Sequence, residues 1–227
     1  MNKTFLKQVI IGVITCPNHE NNASAIRATW LRGVPPEIRV FFVYGRPGSP
    51  ASIEGDCIYL DCPEAYEHLP EKMHRFFEFC SNRLDFDFLL KIDDDSYVDI
   101  GTFLDFDTRG GDYIGLIRGM GDPRITRTWH YGKCTDKSYE IPYDGEYVCD
   151  WARGGGYLLS RKALNVLVEK TASMFSEHLF EDKMVGEALT LDDRIKKVHV
   201  NYVDMGILNP MPPHNMRFVY ELLEARK

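Results

Sequence analysis

Between Phe88 and Val98 the chain reads Phe-Leu-Leu-Lys-Ile-Asp-Asp-Asp-Ser-Tyr-Val, an apolar run of strand length that drives into three consecutive carboxylates. An open α/β sheet binds its ligand outside the carboxyl ends of its strands, and a strand ending in Asp93, Asp94 and Asp95 puts the acids there. Neighbouring anions repel one another and are costly to desolvate, so such a cluster calls for a cation. Oxygen ligands suit Mg or Mn. The same residues also suit a solvated turn in which an Asp caps the next helix. In extended backbone Asp93 and Asp95 share a side and Asp94 takes the other. Asp95, further from the strand, is the better metal ligand, with Asp93 reaching the metal through water. A calcium loop is disfavoured, because the sharp-turn Gly and closing Glu are missing.

The surrounding pattern sets the fold class. Val9 to Thr15, Ile38 to Tyr44 and Cys57 to Asp61 read as short strands, the first two almost continuously apolar. Helical segments are predicted over Ala23–Trp30 and Leu69–Leu84, the latter with Met73, Phe76, Phe77 and Cys80 on one face. This alternation means an α/β protein with a mostly parallel sheet flanked by helices. The second half is less regular. A strand is predicted over Asp112–Leu116 and a long loop or hairpin region over Arg118–Val148. A Gly-rich turn at Gly154–Gly156 leads into a strand, followed by a Ser160-capped helix to about Glu169. A helix starts near Glu181, a strand spans Val198–Tyr202, and a closing helix runs from about Met216 to Ala225.

With 227 residues the chain can bury a full core, and no linker cuts it. A net charge of −7 leaves no basic excess for nucleic-acid phosphates. No run approaches a membrane span. The six cysteines show no zinc spacing and read as free thiols of a reducing compartment.

Other residues could join the acids. Gly154, Gly155 and Gly156 let a backbone approach a ligand closely, although such a row is often only a turn. It lacks the spacing of a dinucleotide fingerprint or a phosphate loop. Glu181 and Asp182, at a predicted helix start, are ordinary charge complements there. A carboxylate reaching into a cleft could instead act as general base on a hydroxyl. His214, in a Pro-rich segment, and His199, at a strand edge, compete for a nitrogen-ligand role that would favour Mn.

In order, these segments resemble the beta-1,3-galactosyltransferase family, glycosyltransferase family 31. Ala25-Ile26-Arg27-Ala28-Thr29-Trp30 is similar to its R-x-T-W helix, and Phe41–Gly45 to its second strand. Tyr66, Leu69 and Lys72 fall on Y-x-N-L-x-x-K, with His68 in place of Asn. Leu90–Val98 follows K-x-D-D-D-x-F/Y-V, Gly154–Ser160 follows G-G-G-Y-V-L-S, and Glu181–Gly186 follows E-D-V-x-x-G with Lys183 in place of Val.

The resemblance implies a single GT-A domain, with residues 1–100 as the nucleotide-binding half and 101–227 as the acceptor-binding half. It implies an inverting transferase moving galactose or N-acetylglucosamine from a UDP-sugar to a hydroxyl of a glycan or glycolipid, with Mn, or Mg in its place. Carried over by position, Asp95, Asp93 and His214 hold the metal. Thr15, Arg27, Asp93, Asp94 and Gly154–Gly156 face the nucleotide sugar, and Asp182 is the base. Trp129, Tyr131 and Trp151 could stack on acceptor sugars, and core packing suits them equally. UDP-glucose or UDP-xylose as donor, a non-catalytic glycan- or nucleotide-sugar-binding module, and a Mg-dependent phosphatase or nucleotidyltransferase are the alternatives. The last explains the acids but not the order of the other segments. Without an N-terminal anchor the chain is expected in the cytoplasm, or in the Golgi lumen if an anchored segment has been trimmed.

Overall fold

The computed structural model of the chain describes residues 8–118 and 127–225. Its elements, in order, are β1 (Val9–Ile14), α1 (Glu20–Ala28), β2 (Arg39–Gly45), β3 (Ser52–Glu54), β4 (Cys57–Leu60), α2 (Leu69–Arg83), β5 (Phe88–Asp93), β6 (Tyr97–Val98) and α3 (Ile100–Leu104). They continue with β7 (Tyr113–Ile117), β8 (Ala152–Ser160), α4 (Arg161–Met174), α5 (Glu181–Thr190), β9 (Lys197–His199), β10 (Ile207–Leu208) and α6 (Pro213–Glu224).

Eight strands form one sheet in the order β3-β4-β2-β1-β5-β8-β7-β9. All run the same way except β3 and β8, so the sheet is mostly parallel, as expected. The β5–β8 pairing joins the two halves of the chain, which therefore share a sheet. β1 is buried at every position because helices cover both faces. On one face α2 inserts Met73, Phe76, Phe77 and Cys80 beside Leu89 and Tyr157, with α4 and α5 alongside. On the other, Ala23 and Ile26 of α1 and Met216 of α6 meet Ile11, Val13, Leu90 and Ile92. Each fully buried side chain of this size contributes roughly 1.5–3 kcal/mol.

Several boundaries differ from the sequence reading. α1 starts at Glu20, after a short 3-10 turn over Pro17–His19, and α4 runs on to Met174. β9 stops at His199. α6 begins at Pro213, where a helix needs no backbone N–H, so His214 sits in its first turn. The largest correction concerns Gly154–Gly156, which lie inside β8 and form no turn. A Cβ at Gly155 would collide with the Asn209 side chain, and one at Gly156 would meet Ile207 at 2.8 Å. The glycines leave room for a crossing segment. The region 127–150 carries no described strand, and residues 119–126 of the predicted loop lie outside the described residues.

β1 has β2 on one side and β5 on the other, with Ile14 opposite both Val43 and Asp93. This is where the strand order reverses, and the carboxyl ends of β1 and β5 open a crevice there. Among the described residues no helix is long and apolar enough to cross a membrane, and all six cysteines are unpaired.

Candidate functional site

β5 alternates, so Leu89, Lys91 and Asp93 share one face while Leu90 and Ile92 fill the other core. Lys91 is thereby carried into the interior, 1% exposed. Its ammonium donates to Asp93 Oδ1 at 2.8 Å, to Gly154 O at 2.7 Å and to Glu181 Oε1 at 2.5 Å. Tyr157 donates to the other Glu181 oxygen at 3.1 Å. Burial opposes the ammonium, but Asp93 and Glu181 outweigh it and hold Lys91 protonated.

The three acids have different surroundings. Ser96 N bonds back to Asp93 O at 3.1 Å, turning the chain just after β5. Asp94, 5% exposed, points to the start of α1, where His19 Nδ1 and Asn22 Nδ2 each lie 2.9 Å from its oxygens. Asp95 Oδ1 accepts from Asn209 Nδ2 at 2.7 Å. Burial raises the Asp95 carboxyl, and the Asp93 and Asp94 charges raise it further. Helix capping falls to Asp99, which accepts from Gly101 N and Thr102 N, so the triplet is not spent on α3.

Segments remote in sequence converge on these acids. β6 pairs with β10, which brings Asn209 and Met211 alongside, and Met211 N donates to Asp95 O at 2.6 Å. Ser96 Oγ donates to Gly155 O at 2.7 Å. Asp182 stands at the start of α5, where an acid complements the helix dipole. It accepts from Gly154 N at 3.3 Å and from Lys183 N at 2.8 Å, and burial raises its carboxyl while Lys91 lowers it. Glu181 is enclosed by Lys91 and Tyr157, whereas Asp182 is only partly buried. Of the two, Asp182 is the carboxylate able to reach a ligand.

At the end of β1, Thr15 is 4% exposed and its hydroxyl has no partner among the described residues. Thr15 O accepts from Lys72 Nζ at 2.6 Å, and Lys72 also bonds Glu64 at 2.8 Å. Arg27 is committed to Asp56, at 2.8 and 3.2 Å, and to Glu20 at 3.3 Å, and its guanidinium lies 4.1 Å from the Phe42 ring centre.

The divalent-metal expectation meets a mixed set of donors. Among the described residues no group of three His, Cys, Asp or Glu side chains closes on a metal position. Asp93 is held by Lys91, and His214 is exposed at the start of α6. His199 is exposed on β9, with Nδ1 2.8 Å from Ile117 O. Among the described residues Asn209 is the one side chain that donates to Asp95, and burial, then the Asp93 and Asp94 charges, raise its carboxyl. One such carboxylate fits Mg or Mn of the kind completed by substrate phosphates and water, and does not fit an all-protein cage.

The predicted acceptor aromatics divide. Trp129 is 58% and Tyr131 39% exposed, whereas Trp151 is 7% exposed and stacked on Tyr147 with ring centres 5.4 Å apart. Trp151 therefore packs internally, and its face is not open for stacking. Sequence reasoning assigned no role to Lys91, His19, Asn22 or Asn209. Of these, only Lys91 carried a signal, as a lone cation inside an otherwise apolar strand.

A family model for galactosyltransferases matches residues 21–201. Mouse beta-1,3-galactosyltransferase 6 is 28% identical over 177 residues, covering 68% of this chain and 52% of that protein. UDP-GalNAc:beta-1,3-N-acetylgalactosaminyltransferase 2 of Danio rerio is 26% identical over 136 residues, covering 58% of this chain and 26% of its own. The chain thus spans about half the length of the first relative and about a quarter of the second. Among solved structures, the galactosyltransferase LgtC, in complex with donor and acceptor sugar analogs, aligns with a TM-score of 0.45 at 12% identity, covering 86% of this chain and 73% of that one. The apo-form glycosyltransferase GlyE of Streptococcus pneumoniae aligns with a TM-score of 0.43 at 10% identity, covering 86% and 45%. The span from residue 21 to 201 takes in the Arg27 helix, the β5 acids, the β8 glycines and the Glu181–Asp182 helix start, and on that match the chain belongs to the galactosyltransferase family.

Proposed function

We propose that this chain is an inverting, divalent-metal-dependent glycosyltransferase of the GT-A type that moves a hexose from a UDP-sugar to a hydroxyl of a glycan. The observation that carries the reading is the convergence, at the crevice where the strand order reverses, of the Asp93–Asp95 triplet, the β8 glycines and the partly buried Asp182. The donor's nucleotide would lie over the ends of β1 and β5, where the Thr15 hydroxyl, without a partner among the described residues, supports a polar contact. The diphosphate would lie toward Asp95 and the sugar against Gly154 and Gly155.

Mn or Mg bound through Asp95 would supply positive charge to the diphosphate as the sugar leaves. Asp182 would take the proton of the acceptor hydroxyl as that oxygen attacks the anomeric carbon from the face opposite the departing phosphate. The raised Asp182 carboxyl fits this duty, since a base works best when its pKa approaches the working pH. Gly154 N orients Asp182, and the Lys91 bonds to Asp93, Gly154 and Glu181 hold both sides of the crevice in register. Exposed Trp129 and Tyr131 are suited to stacking on acceptor sugar faces.

The names of the two relatives carry galactose and N-acetylgalactosamine, so these lead the donor panel, followed by N-acetylglucosamine, glucose and xylose. Thermal-shift titration of the chain with these UDP-sugars, with and without Mn, tests the reading. Stabilisation by at least one donor that depends on Mn is expected. Indifference to every UDP-sugar would remove it.

A further inference from the structure

The loop of residues 127–150 is held by its own bonds. Buried His130 places Nε2 2.7 Å from Tyr139 O and 2.9 Å from Ile141 O. Arg127 donates to Tyr143 O at 2.6 Å and to Gly145 O at 3.1 Å. Glu67, just ahead of α2 and 8% exposed, accepts from Thr135 N at 3.0 Å and Asp136 N at 2.9 Å. Lys133 is fixed between these anchors. Its ammonium stands 3.8 Å from the Trp129 ring centre and 5.5 Å from that of Tyr66. Partial burial pushes the Lys133 ammonium below its usual value while the Asp93, Asp95 and Asp182 charges act the other way, and burial, then the Asp182, Asp93 and Glu181 charges, raise the Tyr66 hydroxyl.

Lys133 differs from three other cations of the described residues around the crevice. Lys91 is saturated by three oxygens, Lys72 by Thr15 O and Glu64, and Arg27 by Asp56 and Glu20. Lys133 is exposed and makes no ion pair among the described residues. An anionic donor entering a crevice lined by carboxylates needs a cation that is free to turn toward it.

Resting on the reading of the chain as a nucleotide-sugar transferase, we propose that Lys133 is the side chain that binds the donor's diphosphate and follows it as it departs. In that step the acceptor oxygen forms its bond to the anomeric carbon and the bond from that carbon to the β-phosphate oxygen breaks. The electron pair passes to the phosphate, and the acceptor proton passes to Asp182. Negative charge on the diphosphate therefore grows as the bond breaks, and a cation already placed beside it favours the transition state over the bound donor. Trp129 and Tyr66 keep the ammonium near the crevice through their ring faces without neutralising it.

The test uses the full chain with Mn, UDP titration by calorimetry and steady-state transfer kinetics on Lys133→Ala and Lys133→Arg. Lys133 is exposed, so both variants should melt with the wild type. Lys133→Ala should weaken UDP about tenfold and lower kcat about 100-fold with the acceptor KM unchanged, and Lys133→Arg should recover part of both. Unchanged UDP affinity and kcat would overturn the assignment. So would a loss confined to the acceptor KM, which would move Lys133 to the acceptor. A wild-type chain that binds no UDP would instead remove the transferase reading itself, and this inference with it.

Discussion

The Lys91 ammonium lies 2.5 Å from the Glu181 carboxylate, across 90 residues of sequence, and both side chains are buried. Truncating one partner of such a pair strands the other charge in the interior, at a cost of about 3–5 kcal/mol. Lys91→Met should lower the free energy of urea unfolding by that much. Adding Glu181→Gln should recover part of the loss, because one stranded carboxylate becomes neutral. Equal stability of the single and double variants would show that Glu181 does not depend on Lys91.

Gly155 is tied to the acid triplet through the Asn209 side chain, which crosses it and donates to Asp95. In Gly155→Ala the new methyl would strike Asn209 and meet the Tyr202 hydroxyl at 3.0 Å. Overpacking of this kind costs about 1–3 kcal/mol. UDP affinity in the presence of Mn should fall with the Asn209 contact, while UDP binding without metal changes less. Calorimetry in the two conditions measures the difference.

Legibility in the sequence followed the physical signal each element carries. β1, β2 and α2 announced themselves because a buried parallel strand is apolar throughout and α2 repeats Met73, Phe76, Phe77 and Cys80 at helical spacing. β6 and β10 are two residues each and exist only through pairing with one another across the chain, so no local pattern marks them. The β8 glycines read as a turn because glycine permits one. Their actual cause is Asn209 and Ile207 packing onto the strand. At the site, Glu181 and Asp182 were visible at a helix start and the family resemblance singled out Asp182, but the enclosure of Glu181 by Lys91 and Tyr157 left no local mark. Trp129 and Trp151 are the same residue type in one region, and only packing separates the exposed ring from the buried one.

His178, between α4 and α5, should make stability pH-dependent. Burial and then the Lys183 charge push its pKa down from 6.5 to about 4. Glu187 lies 3.4 Å from Nε2 but also attends Lys183, and Nε2 makes no hydrogen bond among the described residues. Because the folded value is the lower one, the unfolded chain takes up the proton first as pH falls. The stability is complete above pH 6.5 and drains away between pH 6.5 and 4. In His178→Gln this contribution is absent. The wild-type-minus-variant difference in unfolding free energy should therefore fall by roughly 2–3 kcal/mol over that window. A flat difference would mean that the imidazole titrates alike in the folded and unfolded chain and that burial does not lower its pKa.

Asp182 and Asp95 should separate in function because their surroundings differ. Asp182 has backbone donors and partial exposure, whereas Asp95 leans on the Asn209 side chain and is raised by burial and by its two acidic neighbours. Asp182→Asn preserves shape and can keep one of the two backbone bonds, from Gly154 N or Lys183 N, while removing a proton acceptor. Transfer should fall about 100- to 10,000-fold with UDP affinity unchanged. Asp95→Ala removes the carboxylate expected to meet the metal, so UDP binding should lose its Mn dependence and transfer should fall with it. Calorimetric UDP affinity and single-turnover transfer on the two variants decide the matter. If Asp182→Asn loses UDP binding in step with transfer, Asp182 holds the donor instead of acting as the base.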